Sequence, residues 1–316
     1  MFTSFKTLRN FQNGLDRSSL GIQLKEWERN PNSPQNILLV YPVFPTMTYW
    51  SFSAALKMLG KKSAFPPLGI ATVAALLPDS CHIRLIDMNI EPLTDEHLLW
   101  ADAVFLSAMI VQQESFAEVV KRAHEFGVPT VAGGPYSSTA YRELTEVDHF
   151  VIGEAENVFD RFWRDFSQNN AKRAYASPST PKEYEELREY FGENADLELY
   201  ETRPDINEAP IPRFDLLNRK AYRCMSVQAS RGCPIGCEFC DIWRRFGKKS
   251  RTKEASHLLK ELDELYRLNW KGPVFVVDDN FIGNRRRARE LLSAMAEWQM
   301  EHTYPFQFFT EGTLTI

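Results

Sequence analysis

Short continuous apolar runs alternate with amphipathic stretches along most of the chain. NILLVYP (36–42) is a β-branched and leucine run closed by proline, the pattern of a buried strand. HIRLIDMN (82–89), AVFLSAM (103–109), VPTVAGG (128–134) and HFVIG (149–153) repeat that pattern. Between and after them, GIATVAALLP (69–78), TDEHLLW (94–100), SFAEVVKRAHEFG (115–127) and EAENVFDRFWRDF (154–166) have helical spacing, with Thr94 as an N-cap. Strands alternating with helices predict a parallel sheet covered on both faces. Residues 36–167 are therefore expected to form a flavodoxin-like, doubly wound α/β domain. Ligands of such sheets bind beyond the carboxyl ends of the strands. Asp87, Asn89, Ser107, Gly133, Gly134 and Glu154 stand at those ends.

The rhythm breaks twice. Residues 1–35 are polar without a sustained period and read as an extension. Residues 168–222 carry Pro178, Pro181, Pro204, Pro210 and Pro212 around the acidic KEYEELREYFGE, which predicts a linker holding one short exposed helix. The alternation resumes over 223–316. MSVQAS (225–230), PVFVVDD (273–279) and PFQFFTEGTLTI (305–316) read as strands. The helix over 253–270 is expected to bury Leu258, Leu262, Leu265 and Tyr266, and that over 285–302 Leu291, Leu292, Met295 and Trp298.

Composition narrows the options. A length of 316 residues suits two domains of about 100–200 residues each. The net charge is −5 and the basic clusters are short, such as RRRAR (285–289), so nucleic acid is not an expected partner. There is no run of about 18 apolar residues and hence no transmembrane helix. The first residues lack the apolar core of a secretory signal. Of five cysteines, three fall within eight residues, which points to a metal or redox site in a reducing cytoplasm rather than a disulfide framework.

Those three lie in SRGCPIGCEFC (230–240) as Cys233, Cys237 and Cys240, directly after a predicted strand. Thiolates suit zinc or an iron–sulfur cluster. Structural zinc takes four ligands, and the two candidates for a fourth are Cys224 and His257. Cys224 lies at the far end of the preceding strand, about 20 Å away if extended. A 4Fe-4S cluster normally takes four thiolates. Three leave one iron open, as in sites that bind a substrate or cosubstrate.

Cys233, Cys237 and Cys240, with Phe239 before the last, resemble the radical SAM superfamily. The resemblance implies a 4Fe-4S cluster whose open iron chelates S-adenosylmethionine (SAM), and a 5′-deoxyadenosyl radical made by its reduction. It also implies that Phe239 packs near the adenine. Asp278, Asp279 and Asn280 stand where the family binds the methionine amino group, in place of the usual Gly-Gly-Glu, and Glu311 is a further candidate contact. A flavodoxin-like unit placed before such a unit resembles the cobalamin-binding branch. Ser107 and Met109 resemble that branch's Ser-x-Leu element, and Gly133-Gly134 and GEAE (153–156) follow. DMNIEP (87–92) replaces the Asp-x-His-x-x-Gly of many cobalamin domains, so no histidine is expected below the cobalt. The aromatic stretch 41–52 is a candidate cover for corrin or substrate.

EAPIPRFDLL (208–217) and VVDDNFIGN (276–284) are similar to the subgroup that contains the hopanoid C2-methylase. The resemblance implies cobalamin-dependent methyl transfer to an unactivated carbon of a small molecule or lipid. It also implies an electron donor of flavodoxin or ferredoxin type and a cytoplasmic location, peripheral to the membrane for a lipid substrate. The alternatives are a cyclisation or rearrangement with the same cofactors and a non-catalytic cofactor-binding module. Three strands are half of the usual barrel, so 223–316 is expected to be its incomplete, C-terminally truncated first part.

Overall fold

The computed structural model describes residues 34–46, 48, 51–199 and 203–313. Most of the expected extension, and part of the aromatic stretch after residue 46, lie outside the described residues.

Strands β1 (Asn36–Tyr41), β2 (His82–Asp87), β3 (Ala103–Ser107), β4 (Thr130–Gly133), β5 (His149–Ile152), β6 (Ala174–Ala176) and β7 (Ala195–Leu197) form one sheet in the order β2-β1-β3-β4-β5-β6-β7. Every neighbouring pair is parallel. The strand order reverses between β1 and β3, which is where a doubly wound sheet opens a crevice at its carboxyl edge. Helices α1 (Ser53–Met58), α2 (Leu68–Ala74), α3 (Asp95–Trp100), α4 (Gln113–Glu125), α5 (Gly134–Ala140), α6 (Phe159–Ser167) and α7 (Pro181–Phe191) make the connections.

The apolar run of β1 serves both faces by its period of two. Ile37 and Leu39 join one core with Phe105, Phe162 and Tyr175, while Leu38 and Val40 join another with Val104, Phe116 and Phe150. Residues 168–222, expected as a linker, supply β6, α7 and β7 and extend this sheet. Ala174-Tyr175-Ala176 and Ala195-Asp196-Leu197 are too short to carry a readable period, yet Ala174, Ala176 and Ala195 pack in one core with Leu187 and Phe191 of α7.

The second unit is a parallel sheet of β8 (Met225–Val227), β11 (Pro273–Val276) and β12 (Gln307–Thr310), in the order β12-β11-β8. A small antiparallel pair, β9 (Ser230–Arg231) and β10 (Arg251–Thr252), frames the cysteine loop, with α8 (Ile242–Arg245) between them. Helices α9 (Ala255–Arg267) and α10 (Arg285–Glu301) cover one face. Leu258, Leu262, Leu265, Leu291, Met295 and Trp298 are buried as the periodicity predicts. Tyr266 and Leu292 are not; each lies on the flank of its stripe and is 41% and 52% exposed. Glu261 and Ala288 complete the buried stripes instead. Among the described residues, no helix is long and apolar enough to cross a membrane.

Candidate functional site

The cysteine loop leaves β9 through Gly232, whose φ is +91°. A Cβ there would meet the backbone oxygens of Lys249, Gly247 and Phe246 at 2.6, 2.9 and 3.0 Å. The chain after the loop thus folds back over its first residue, and the Cys233 amide donates to the Gly247 carbonyl at 3.2 Å. Cys233 is buried, Cys237 and Cys240 are half-buried, and none is in a disulfide. Trp243 Nε1 donates to the Cys237 carbonyl at 3.3 Å, and Asn280 Nδ2 to Cys233 Sγ at 3.7 Å.

Three thiols on one loop fit a sulfur-ligated group. Around one zinc ion, Zn–S bonds of about 2.3 Å hold sulfurs about 3.8 Å apart. Among the described residues, no three His, Cys, Asp or Glu side chains are gathered for a single ion. Cys224 is buried away from the loop with its thiol donated to the Ala64 carbonyl at 3.1 Å, and His257 sits beside Glu261. With Cys224 and His257 engaged elsewhere, three loop thiolates suit a cubane with one open iron better than a four-ligand zinc site.

The end of β11 meets the loop from below. Asp278 is 2% exposed and accepts hydrogen bonds from the Ala229 amide at 2.8 Å and Ser230 Oγ at 2.6 Å. Its carboxylate braces the strand that feeds the loop. Asn280 is 1% exposed and faces Cys233. Asp279 is half-buried. Burial, with the charges of Asp278, Glu311 and Asp241 nearby, pushes its carboxyl up to about 6. A carboxylate kept among other carboxylates invites a cation, and the ammonium of SAM fits that need. Glu311 is exposed, and its carbonyl accepts from the Phe281 amide at 3.0 Å. Phe239 is 94% exposed.

The carboxyl edge of the first sheet faces this loop. Asp87 is buried, accepts from the Asn89 amide and Nδ2 at 2.9 and 2.7 Å, and accepts from Tyr222 Oη at 2.9 Å. Burial raises its pKa. Asn89 Oδ1 in turn accepts from the Phe44 amide at 2.9 Å, so this pair shapes the chain leaving β1. Ser107, Met109, Gly133 and Gly134 are half-buried at the ends of β3 and β4. Gly134 has φ +77°, and a Cβ would press on Ser107 Oγ, so glycine is required there by the fold itself. Of the six histidines, His82 and His149 begin strands, His124 bonds Asp148 before β5, and His97, His257 and His302 belong to helices or their ends. His97 stands in the first turn of α3, with Nδ1 3.1 Å from both the Thr94 amide and Thr94 Oγ1. The polar, half-buried rim at Ser107, Met109, Gly133 and Gly134 fits a bulky corrin.

Glu154, at the end of β5, points into the second unit. Its carboxylate accepts from Arg231 at 2.9 Å and from Arg251 at 2.7 and 3.0 Å, with Arg203 at 3.7 Å. Glu156 accepts from Arg231 at 2.8 Å. Burial would raise the Glu156 pKa, but Arg231 beside it wins and the net shift is downward. Arg245, just past Cys240, donates to the Pro135 carbonyl at 2.7 Å. Tyr222 on Asp87, and residues 62–64 hydrogen-bonded to 221–224, pin the start of β8 to the first unit. The cysteine loop is therefore fixed over the carboxyl edge of the first sheet. The sequence singles out Glu154, with Glu156 in the same GEAE element, but not Arg231, Arg251 or Tyr222; the charged residue before the Gly-Cys step was the available signal.

Residues 61–162 match the B12 binding domain family. Over that stretch the chain belongs to the B12 binding domain family, and the cysteine loop is held against that domain. Proteins similar to it include an uncharacterized methyltransferase of Synechocystis sp., 41% identical over 88% of this chain and 48% of that protein. The hopanoid C-2 methylase of Rhodopseudomonas palustris is 33% identical over 89% of this chain and 50% of that protein. The chain thus spans about half the length of the curated relatives it matches. Among solved structures, the cobalamin-dependent SAM radical enzyme OxsB, with aqua-cobalamin and SAM bound, has the same fold. It is 15% identical, with a TM-score of 0.60, over 95% of this chain and 43% of that one. In this chain the ion-paired contact between the two units fixes the cysteine loop against the B12 binding domain.

Proposed function

We propose that this chain holds cobalamin, a 4Fe-4S cluster and SAM, and takes part in methyl transfer to an unactivated carbon of an apolar ring-bearing molecule such as a hopanoid. One observation carries the substrate class. Val274 and Val276 of β11 are buried under the helices, so alternation turns Phe275, Val277 and Asp279 to the opposite face. On that face Phe275 stacks on Phe309 of β12 at 4.9 Å, and Phe65 and Phe52 of the first unit extend the cluster at 5.0 and 6.1 Å. An aromatic floor thus lies beneath the carboxylate rim that ends in Asp279.

When bound, the cluster and SAM supply a carbon-centred radical and cobalamin supplies the methyl group. The chain's own groups do the positioning. Cys233, Cys237 and Cys240 hold the cluster, and Asn280 donates to Cys233 Sγ. Asp279, with Glu311 near, receives the methionine ammonium. Asp278 keeps Ala229 and Ser230 in place under the loop. Ser107, Met109, Gly133 and Gly134 border the corrin, with Asp87 and Asn89 shaping the adjoining edge. The phenylalanine floor excludes water and presents an apolar substrate. Electrons come from a flavodoxin- or ferredoxin-type donor.

The test is anaerobic reconstitution of the chain, followed by metal analysis and a cobalamin absorbance titration. About four irons and four sulfides per chain support the cluster, and about one zinc without iron refutes it. With SAM, reductant and a hopanoid, the reading requires both S-adenosylhomocysteine and 5′-deoxyadenosine. 5′-Deoxyadenosine alone would replace methyl transfer with a cyclisation or rearrangement.

A further inference from the structure

The carboxylates at the end of β5 belong to the first unit, but all their charged partners belong to segments beyond it. Glu154 has a side chain only 5% exposed, Glu156 6%, Arg231 13% and Arg251 14%. Arg231 is bidentate across two acids, with one guanidinium nitrogen on Glu154, the other on Glu156, and Nε on Gln228 Oε1 at 2.8 Å. Arg251 forks onto both oxygens of Glu154 and also donates to the Pro204 carbonyl at 2.7 Å. These two arginines are the paired residues of β9 and β10, the strands on either side of the cysteine loop. Both ends of the loop are thereby tied to one carboxylate. Planar guanidinium forks fix direction as well as distance, which a lysine ammonium would not.

We propose that Glu154 is a positioning residue, whose carboxylate, gripped by Arg231 and Arg251 and seconded by Glu156, sets the cysteine loop's distance and orientation over the cobalamin domain. This rests on the reading that the loop carries a cluster and the domain carries cobalamin. On that reading Glu154 touches neither group. It acts through the two arginines and determines how far the two reacting regions stand apart. Glu156 is the weaker clasp, because it holds Arg231 alone while Glu154 holds both.

The experiment compares the parent chain with Glu154→Gln, Glu156→Gln and Arg251→Lys. Three quantities are measured: hydrogen exchange, cobalamin affinity by absorbance titration, and the magnetic coupling between cob(II)alamin and the reduced cluster by electron paramagnetic resonance. Glu154→Gln should leave cobalamin affinity within about twofold while speeding exchange over 228–252 by at least about tenfold, with β1–β3 unchanged. The coupling should weaken or broaden in the same variant. Glu156→Gln should shift both readouts the same way by less, and it carries the test if Glu154→Gln fails to fold. Arg251→Lys keeps the charge but loses the fork and should behave as Glu154→Gln. The proposal is overturned if Glu154→Gln weakens cobalamin more than about tenfold with loop exchange unchanged, which would make it a corrin contact. An unchanged loop and unchanged coupling, or uniform acceleration across the whole chain, also overturn it. Failure of the parent to bind cobalamin or iron would refute the cofactor reading instead, and exchange in the cofactor-free chain would still test the clamp.

Discussion

Gly232→Ala is the sharpest perturbation of the cysteine loop, because two separate costs arise at one atom. The first is conformational. At φ +91° an L-residue with a Cβ is strained, by about 1–2 kcal/mol. The second is contact. The new methyl would meet three main-chain oxygens at 2.6–3.0 Å, and none belongs to a side chain able to rotate away. Backbone displacement in a packed region costs roughly 1–3 kcal/mol. The sum is about 2–5 kcal/mol, or a fall in Tm of about 3–8 °C for a chain of this length. Gly153 provides an internal control: its φ is +92°, but no atom lies within 4 Å of its ideal Cβ. Gly153→Ala should therefore show the conformational cost alone, and the difference between the two variants isolates the contact. Thermal unfolding of both is the assay, with iron content after anaerobic reconstitution as the functional readout. Gly232→Ala should retain far less iron, because Lys249 to Phe246 must retreat from the start of the loop. Equal Tm losses in the two variants, or full iron in Gly232→Ala, would refute this reasoning.

Two further outcomes follow from buried charge. The folded pKa of Asp279 is about 6, above its unfolded value of 3.8, so the folded chain holds that proton more tightly. Stability from this group is present below about pH 4 and is lost as pH rises through about 6. Asp279→Asn should then flatten the loss of Tm between about pH 4 and 6 in the cofactor-free chain; parallel curves for parent and variant would exclude the effect. Lys253 and Glu261 form a close ion pair at 4% and 0% side-chain exposure. Lys253→Met strands the acid and should cost about 3–5 kcal/mol in denaturant unfolding, while Lys253→Met with Glu261→Leu should recover most of it. A double variant no more stable than the single would show that the pair is not the cause.

The first sheet was readable because its strands are buried on both faces and so appear as unbroken apolar runs. NILLVY and HFVI fall within a residue or so of β1 and β5. The helix over residues 94–100 was readable from its cap, and His97 Nδ1 indeed accepts from the Thr94 amide at 3.1 Å. Strands β6 and β7 were not, since three-residue elements carry no period and lie in a segment rich in proline. The cysteine loop was legible from spacing alone. Its supports were not, because an ion pair such as Arg231 with Glu156 joins residues 75 positions apart. Sequence displays the charges singly and gives no account of which meet. Asp278 and Asp279 make the same point. Adjacent and chemically alike, one is a sealed brace and the other a half-open carboxylate, and strand alternation alone separates their duties.

One core runs from Ile37 and Phe105 through Phe214, Leu217 and Tyr222 to Leu262 and Trp298 without a break. That continuity bears on how such a protein can be taken apart. A cut at residue 168 would strip β6 and β7 from the first sheet, and a cut near 222 would sever the strip that joins 62–64 to 221–224. Neither boundary releases a self-contained piece, so recombination between relatives has to exchange both halves together or rebuild the seam residue by residue.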